Sequence, residues 1–410
     1  MSETGTSMVS ENEARARALV EAHNATVTGA AMPVGVLTPL SAPGDPTAGE
    51  LVVRGTVLGA RYVAEHPGDF SGRAVRLFLE NDQRTADVEH MSRSAAGGMA
   101  KLVALDGVSA VVGQWHLRTS PVVADLAERW GVPTFIENGH NTITHGRRNL
   151  FRTYFSIADR APMMAEFAAR QGWRRIAVIA ADTVFGQMLA DTVGEALRDA
   201  IPDLELYRED FAQDGVTDLR EQLARATEFG PDLLVNAGVV RTNYLIVEAA
   251  AETGLLPKVP MMACFPFPMR SQDYWNFAGQ AGIGVMWPAT RYSPTWSGLT
   301  PTGRWFVDTY HKEFGSYPPD NALNSFTDVV ILAQAAALAG SHERAQLRNA
   351  LESGSFRTWR GQVRFTDDHH QPPEFVLMHY QEVGHTLDEA VIVWPEAAVT
   401  GEFRHPSVQS

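Results

Sequence analysis

The chain has 410 residues, of which 45% are hydrophobic and 20% charged, and its formal net charge at pH 7 is -14. A chain of this length and apolar content is too long for one compact core and too apolar for intrinsic disorder, so a globular protein of two lobes is predicted. The acidic balance, without any basic run, argues against binding to nucleic acid or to an anionic membrane surface. The single cysteine, Cys264, excludes an intrachain disulfide.

The N-terminal segment is polar and has no positively charged start followed by an apolar stretch, so it does not predict a secretory signal. Residues 1–31 are predicted to form a flexible leader or a loose helix over Glu13 to His23. No run of about 18 uninterrupted apolar residues occurs, so no membrane span is predicted. On these grounds we expect a cytoplasmic protein.

From Pro33 onwards, apolar runs alternate with amphipathic stretches, a pattern typical of parallel α/β proteins. The predicted strands are Val34 to Leu37, Val75 to Glu80, Ala110 to Gly113, Thr134 to Ile136, Arg175 to Ala180, Glu205 to Phe211, Leu233 to Ala237, Pro260 to Ala263 and Gly284 to Met286. The predicted helices are Gly49 to Glu65, Asp87 to Leu105, Val122 to Trp130, Ala161 to Gln171, Gln187 to Ala200, Asp218 to Glu228 and Arg241 to Thr253. Each helix is long enough to cross back over a sheet, so doubly wound parallel sheets are predicted.

The alternating pattern occurs once before and once after about Arg152, which predicts two similar lobes. Residues Trp287 to Gly340 then contain long helices without comparable strands, and the segment GQVRFTDDHHQPPEFVLMHYQEVG alternates like a hairpin. Ligands of open α/β sheets bind where loops follow the carboxyl ends of strands. That rule selects the loops Thr38 to Gly49, Asn81 to Arg84, Gln114 to Ser120, Glu137 to Asn141, Ala181 to Gly186, Gly238 to Asn243 and Cys264 to Pro268.

The loop after the third strand is rich in polar and aromatic side chains. Trp115 either lines a pocket or fills the core beneath the turn. His116 and Arg118 either pair with a ligand carboxylate beside a helix N-terminus or lie at the surface. One of Thr119 and Ser120 is expected to cap the following helix, which leaves the other to donate to a ligand.

The end of the fourth strand is also unusually polar. Glu137, Asn138 and His140 either contact a ligand or form a solvated turn. Together with His116, they offer acid/base groups, which keeps an enzyme open as an alternative. No catalytic or phosphate-binding motif occurs. The DDHH run at 367–370 is interpreted as a polar loop, because adjacent residues cannot easily share one tetrahedral ion; neither a metal nor a cofactor is predicted.

Several segments resemble one family: VGVLTPLSAPGD, GVSAVVGQW with SPVVADLAERWGVPTFI, RRIAVIAADTVFGQML, PDLLVNAGVVRTNYLIVEAAAETGL and FRTWRGQVRFTDDHHQ. They are similar to type I periplasmic-binding proteins, near the Leu/Ile/Val-binding branch and its amide- and urea-binding relatives. The resemblance runs from about Pro33 to about Trp394. It implies two doubly wound parallel-sheet lobes that enclose a ligand and are joined by three hinge crossovers, near Arg152 to Ser156, Met286 to Ala289 and Arg357 to Gly361.

The resemblance also implies domain boundaries. The N-terminal lobe is expected at 32–153 and 288–357, and the C-terminal lobe at 154–287 and 358–400. Residues 401–410 are expected to form a tail.

Site residues follow from the resemblance position by position. The family's Ser/Thr-bearing loop falls on His116 to Ser120, and its carboxylate-binding loop falls on Asn138, Gly139 and His140. Its stacking tyrosine falls on Phe185, an aromatic residue falls near Val239, and the acid that holds the ammonium group of amino-acid ligands falls near Phe265. The expected ligand-binding set is Trp115, His116, Thr119, Glu137, Asn138, Gly139, His140, Phe185, Val239 and Phe265.

The departure at Phe265 bears on the ligand. Without an acid there, a buried ammonium group lacks its usual counter-charge. A neutral amide, an aromatic acid or a modified amino acid is therefore favoured over a standard aliphatic amino acid.

The function predicted from these observations is non-catalytic binding of a small polar ligand, an amide or an amino-acid-like or carboxylate compound, by closure of two lobes. An intracellular sensor or regulator is expected, as in the amide-sensing regulators of the same family. The alternatives are the substrate-binding component of an ABC transporter, with an export signal outside this sequence, and an enzyme that reuses the cleft. The expected partner is a regulatory protein or a permease, without nucleic acid or membrane insertion, and homo-oligomerisation is left open.

Overall fold

The structure is a computed structural model that describes residues 4–42, 44–83, 90–239, 241–266, 269 and 274–404. Four parts of the predictions lie outside the described residues: the helix start at Asp87, the loop ends at Arg84 and Pro268, and residues 405–410 of the tail. The strands are β1 Ala31–Thr38, β2 Ala74–Asn81, β3 Ala110–Gln114, β4 Thr134–Ile136, β5 Leu150–Phe151, β6 Arg175–Ala181, β7 Glu205–Phe211, β8 Leu233–Ala237, β9 Met261–Ala263, β10 Val285–Thr290, β11 Phe356–Thr358, β12 Gly361–Val363, β13 Phe375–His379 and β14 Val391–Trp394.

The helices are α1 Thr4–Thr26, α2 Pro46–Glu65, α3 Met91–Ala104, α4 Ser120–Trp130, α5 Ile157–Arg170, α6 Val184–Ala200, α7 Arg220–Phe229, α8 Arg241–Glu252, α9 Tyr274–Ala278, α10 Pro301–Phe314, α11 Asp320–Ala339 and α12 Arg344–Ser353. Every strand and helix that the sequence predicts is present with its expected type. Most of the predicted boundaries differ from the observed ones by a few residues, as expected where helix ends depend on capping side chains.

The chain divides into two units. Unit 1 comprises Met1–Ser156 and Trp296–Pro373, and unit 2 comprises Ile157–Thr295 and Glu374–Ser410. The first change of unit, after Ser156, coincides with the predicted crossover at Arg152 to Ser156. The second and third changes come later than the predicted crossovers, because β10 extends to Thr290 and because the β11–β12 hairpin stays with unit 1.

The sheet of unit 1 is parallel and has the order β2-β1-β3-β4-β5. Strands β3, β4 and β5 are buried on both faces, as expected for parallel strands covered by helices, whereas the edge strand β2 alternates between buried and half-buried residues over its first half. Local sequence fixes where the crossover helices begin and end. Asp45 caps α2 by accepting from the Thr47 and Ala48 backbone N–H groups, and Gly131 ends α4 with a left-handed φ of 60°.

Helix α11 lies against α2 in the interior of unit 1. A side chain at Gly55 of α2 would collide with the Ala322 carbonyl at 2.1 Å from its Cβ, so this glycine permits the close approach of the two helices. By length and composition α11 could also span a membrane, but 72% of that window is buried inside the protein. It is therefore a core helix that is apolar on most of its faces.

In the described part of residues 1–31, helix α1 contains the segment Glu13 to His23, for which the sequence predicts a helix as the alternative to a flexible leader. Helix α1 packs on unit 1 and buries Ala16, Val20 and His23. The His23 Nε2 atom lies 2.9 Å from the Val75 carbonyl, and Asn24 bonds the backbone of Leu77 through both ends of its amide. The buried face of α1 is made of small and polar residues, so no apolar stripe in the sequence revealed it.

Asn24 provides a test of this docking. The Asn24→Ala variant is expected to lower the free energy of unfolding by about 1–3 kcal/mol, because the Leu77 N–H and carbonyl groups lose partners at 3.0 and 2.8 Å. Urea unfolding measures the effect. Glu21→Ala on the exposed face of the same helix is the control, and an equal loss in both variants would show that α1 contributes only helix propensity.

The sheet of unit 2 has the order β14-β13-β10-β9-β8-β6-β7. Strands β6 to β10 are parallel, and β13 and β14 join them antiparallel from the C-terminal part of the chain. The predicted hairpin segment is thus split between the β11–β12 hairpin of unit 1 and strand β13 of unit 2. Both units are doubly wound α/β sheets, which confirms the predicted fold class.

Candidate functional site

The carboxyl edge of the unit 1 sheet carries most of the predicted site residues. Strands β3 and β4 are neighbours, and their ends bear the turn 114–120 and the turn 137–141. Gly113 has a left-handed φ of 82°, and the pairing register with β4 shifts between Val111 and Gln114. This bulge interrupts the regular alternation of side chains along β3, so that the Gln114 amide points into the turn.

A buried network of hydrogen bonds, which we call the turn network, holds the loop after β3. The Gln114 Nε2 donates to the Thr119 hydroxyl at 2.7 Å, and the Ser120 hydroxyl donates to the Gln114 Oε1 at 2.5 Å. The Asn138 amide donates to the Ser120 hydroxyl, which links the β3 and β4 ends. Both hydroxyls serve this network, and neither caps the start of α4, contrary to the expected division between a cap and a ligand donor.

Asp82, which follows β2, completes the turn network. Its Oδ2 accepts from the Thr119 hydroxyl at 3.1 Å and from the Gln114 amide at 3.4 Å. Burial raises the pKa of the Asp82 carboxyl to about 7, and the two hydrogen bonds partly oppose that rise. The strand-end rule predicts a site loop at Asn81 to Arg84 but singles out no residue in it, because a single acid after a strand also suits an ordinary turn.

Trp115, His116 and Arg118 lie on the outer part of the same turn. Trp115 and His116 are half-buried with ring centroids 6.3 Å apart, and Arg118 is exposed. The His116 carbonyl accepts from the Thr119 and Ser120 backbone N–H groups and hydroxyls, which fixes the turn. Burial, and then the Arg118 charge, lowers the His116 pKa, so the ring is neutral at pH 7. Its Nδ1 accepts from the Arg118 N–H at 3.3 Å, which leaves the proton on Nε2 as a donor.

Glu137 is enclosed in unit 1 and paired with α11. The Ser325 hydroxyl lies 2.8 Å from both Glu137 carboxylate oxygens, and Asp328 is the neighbouring acid. Burial and the Asp328 charge raise the Glu137 pKa well above its usual range, and burial raises the Asp328 pKa to about 8. The Glu137 carboxyl is thus engaged by α11 inside unit 1, and its contact with a ligand stays a prediction.

A buried arginine, Arg152, binds the backbone of the turn 138–140. Arg152 donates from Nη1 to the Asn138 carbonyl at 3.3 Å and to the His140 carbonyl, and from Nε to the His370 Nδ1 at 3.0 Å. The Asn138 Oδ1 accepts from the His140 N–H at 3.2 Å, and Gly139 between them is buried. His140 is half-buried, and burial followed by the Arg152 charge lowers its pKa.

The remaining predicted residues lie at the carboxyl edge of the unit 2 sheet. Phe185, in the first turn of α6, and Phe265, after β9, are half-buried and meet edge to face with centroids 6.0 Å apart. Val239, after β8, donates its N–H to the Thr242 hydroxyl at 2.8 Å, and it packs against the unit 2 core. Cys264 is buried beside Phe265, and burial raises its thiol pKa to about 12, which leaves it inert as a nucleophile.

The DDHH run belongs to a structural loop of unit 1. His369 stacks on Phe151 at 4.4 Å with nearly parallel rings, and its Nδ1 lies 3.1 Å from the Leu150 carbonyl. His370 bonds Arg152. Within the described ranges, no group of three or more His, Cys, Asp or Glu side chains is placed to hold a metal ion.

The sequence profile of the family described as periplasmic binding protein matches residues 31–381. The chain belongs to the periplasmic-binding-protein family. The match covers both units, so the family accounts for the two doubly wound sheets and for the order in which the chain visits them.

Solved structures of this family superpose on most of the chain. A leucine-binding protein from Thermotoga maritima is 20% identical, with a TM-score of 0.71, and the match covers 88% of this chain and 97% of that one. A branched-chain amino acid transporter substrate-binding protein from Streptococcus pneumoniae, in complex with isoleucine, is 18% identical, with a TM-score of 0.72 and coverage of 89% and 100%. An ABC transporter solute-binding protein from R. palustris, in complex with benzoate, is 19% identical, with a TM-score of 0.71 and coverage of 93% and 100%. No curated protein sequence matches this chain.

Proposed function

We propose that the protein is the solute-binding component of an ABC transporter and that its ligand is a small polar molecule held at the carboxyl edge of the unit 1 sheet. The turn network carries the proposal. It orders five polar side chains from three strand ends: Asp82, Gln114, Thr119, Ser120 and Asn138. Such preorganisation fixes the half-exposed Trp115 and His116 and lowers the entropy cost of binding.

The comparisons favour transport over the intracellular sensor that the sequence analysis placed first. Several structural neighbours are described as substrate- or solute-binding proteins of transporters, and two of them were solved in complex with isoleucine and benzoate. These two ligands share a carboxylate and an apolar body. The half-buried Trp115 suits the apolar body, and neutral His116 and His140 suit hydrogen bonds to the polar end.

Trp115→Ala tests this edge. The variant is expected to weaken solute binding at least tenfold, because it removes a large apolar surface from the proposed site. Calorimetric titration with isoleucine, leucine and benzoate measures the affinity. Trp130→Ala, a half-buried tryptophan at the far end of α4, is the matched control and is expected to leave the affinity unchanged.

The natural solute can be identified by mass spectrometry. The protein is purified from its host and denatured, and the small molecules that it releases are analysed. A released carboxylate or amino acid that rebinds the purified protein would support the proposal. Absence of any released solute, together with absence of binding to the test compounds, would contradict it.

A further inference from the structure

Helix α1 covers the outer edge of strand β2 in unit 1. β2 is the end strand of its sheet and pairs with β1 on its inner side, where the Asp82 N–H, just beyond β2, donates to the Thr38 carbonyl at 3.2 Å. The backbone groups of successive strand residues point to opposite sides, so the even-numbered residues of β2 face β1 and the odd-numbered residues face outward. The outward set includes Val75, Leu77 and Leu79.

The end of α1 bonds this outward backbone in the manner of a neighbouring strand. The Asn24 side-chain amide donates to the Leu77 carbonyl at 2.8 Å and accepts from the Leu77 N–H at 3.0 Å. A facing residue of an antiparallel strand makes the same pair of bonds. The His23 Nε2 lies 2.9 Å from the Val75 carbonyl, which can only accept, so this nitrogen is the donor. Two side chains of a helix thus take the place of a strand at this edge.

The remaining contacts of α1 are largely polar. Among residues 11–26, the part of α1 whose side chains are described, the buried apolar side chains are Ala16 and Val20. Arg15, which is exposed, donates to the buried Glu50 carboxylate of α2 at 3.1 and 3.0 Å. Because so little apolar surface is involved, the helix can detach while the sheet beneath it stays folded.

The sequence of β2 favours pairing if its edge is uncovered. Residues 74–79 read AVRLFL, with one charge and neither proline nor glycine, which is typical of strands that add to other strands. The edge strand β7 of unit 2 differs, because four of its seven residues are charged: Glu205, Arg208, Glu209 and Asp210. Charged side chains disfavour strand addition, so β7 carries its own protection, whereas β2 depends on α1.

Strand β2 is also complementary to itself. Two antiparallel copies with Leu77 facing Leu77 exchange both backbone bonds there, and Val75 of each copy faces Leu79 of the other. On the opposite face of the paired strands, Arg76 lies across from Phe78, so a guanidinium can cover an aromatic ring. The arrangement has two-fold symmetry, so each copy satisfies the same groups of the other.

We propose that α1 is a removable cap that keeps the β2 edge of each molecule from pairing with the β2 edge of a second copy of this chain. Residues 27–30 join α1 to β1. Such a short link gives the helix an effective concentration on the order of millimolar at the edge, which a second copy does not reach in dilute solution. Release of α1 therefore opens an interaction surface for a second copy, whatever solute the protein binds.

The double variant Val20→Asp/Asn24→Ala, called the released variant, tests the cap. The aspartate places an unpaired charge at a buried position, and the alanine loses both bonds to Leu77. Hydrogen exchange is expected to become faster in residues 12–26 and to stay slow in β1 and β3. Sedimentation velocity over a dilution series is expected to show a dimer whose association constant is at least ten times that of the wild type. Ala18→Asp, which adds the same charge on the exposed face of α1, is the control and is expected to match the wild type.

Disulfide formation identifies the surface through which the copies associate. Arg76→Cys and Phe78→Cys are introduced separately into the released variant, because the two-fold register places residue 76 of one copy opposite residue 78 of the other. Their Cα atoms are then about 4.5 Å apart, within the range that a disulfide spans. A cross-linked dimer is expected to form at least ten times faster in a mixture of the two proteins than in either alone. Cys264 is buried and does not compete.

Three results would overturn the proposal. The first is a released helix without association, and the second is association without the disulfide that is specific to the mixture. The third is an exchange pattern in which α1 stays protected, or in which β1 and β3 lose protection together with it. In that case α1 is an integral part of the fold and not a removable cap.

Discussion

Replacing Glu137 with glutamine is expected to make the protein more stable than the wild type at pH 9 and to flatten its stability between pH 5 and pH 9. Glu137 and Asp328 are neighbouring carboxyls enclosed in unit 1, and both have raised pKa values, that of Asp328 reaching about 8. The folded state therefore retains protons that the unfolded chain releases near pH 4. The contribution of this acid pair to the free energy of unfolding is fully present below that pH and is lost as the pH rises through about 8.

At pH 9 the wild type must hold two neighbouring carboxylate charges in its interior, whereas Glu137→Gln holds one. Because an uncompensated buried charge is strongly destabilising, a gain of about 1–3 kcal/mol in the free energy of unfolding at pH 9 is expected for Glu137→Gln. The glutamine keeps an oxygen that accepts from Ser325 and gains an amide that donates to Asp328. Urea unfolding at pH 5, 7 and 9 measures the change.

Asp367→Asn is the control for this experiment, because it removes the same charge from an exposed position of unit 1. It is expected to leave the pH profile of stability unaltered. Superimposable profiles for the wild type and Glu137→Gln would contradict the interpretation of the acid pair as a shared-proton site.

Much of the fold could be predicted because strands and crossover helices are local patterns. Val34, Val36 and the residues that follow them read as an apolar run whatever the rest of the chain does, and the strand-end rule then located the turns after β3, β4, β6, β8 and β9. What each polar side chain does within those turns depends on partners from distant parts of the sequence. Contacts between distant parts of the sequence leave no periodic pattern, so they cannot be predicted from periodicity.

Glu137 and Asp82 show where prediction of a side chain's role from the sequence stops. Glu137 was predicted to contact a ligand from its place at a strand end, but the sequence did not reveal its partners Ser325 and Asp328, which come from α11, far along the chain. Asp82 was passed over, yet the bulge at Gly113 brings Gln114 and Thr119 onto its carboxylate. In both cases tertiary contacts determine the role of the residue, and the residue type alone leaves that role open.

Arg152→Met is expected to lower the free energy of unfolding by about 3–5 kcal/mol. The arginine is fully buried and bonds three groups of unit 1: the Asn138 and His140 carbonyls and the His370 ring. Methionine fills much of the same volume but donates nothing, so two carbonyls of the turn 138–140 are left buried without this donor. Guanidinium unfolding, with the midpoint and slope fitted together, measures the loss.

Arg148→Met provides the matched control, because Arg148 is exposed and its ion pair with Glu352 spans 3.3 Å at the surface of the same unit. Surface pairs of this kind contribute about 0–1 kcal/mol, so a loss of more than 3 kcal/mol confined to Arg152→Met would identify the buried guanidinium as the support of the turn. Equal losses in the two variants would contradict that role. Arg152→Lys refines the result: a single ammonium can serve one of the two carbonyls well, so stability is expected to return only in part.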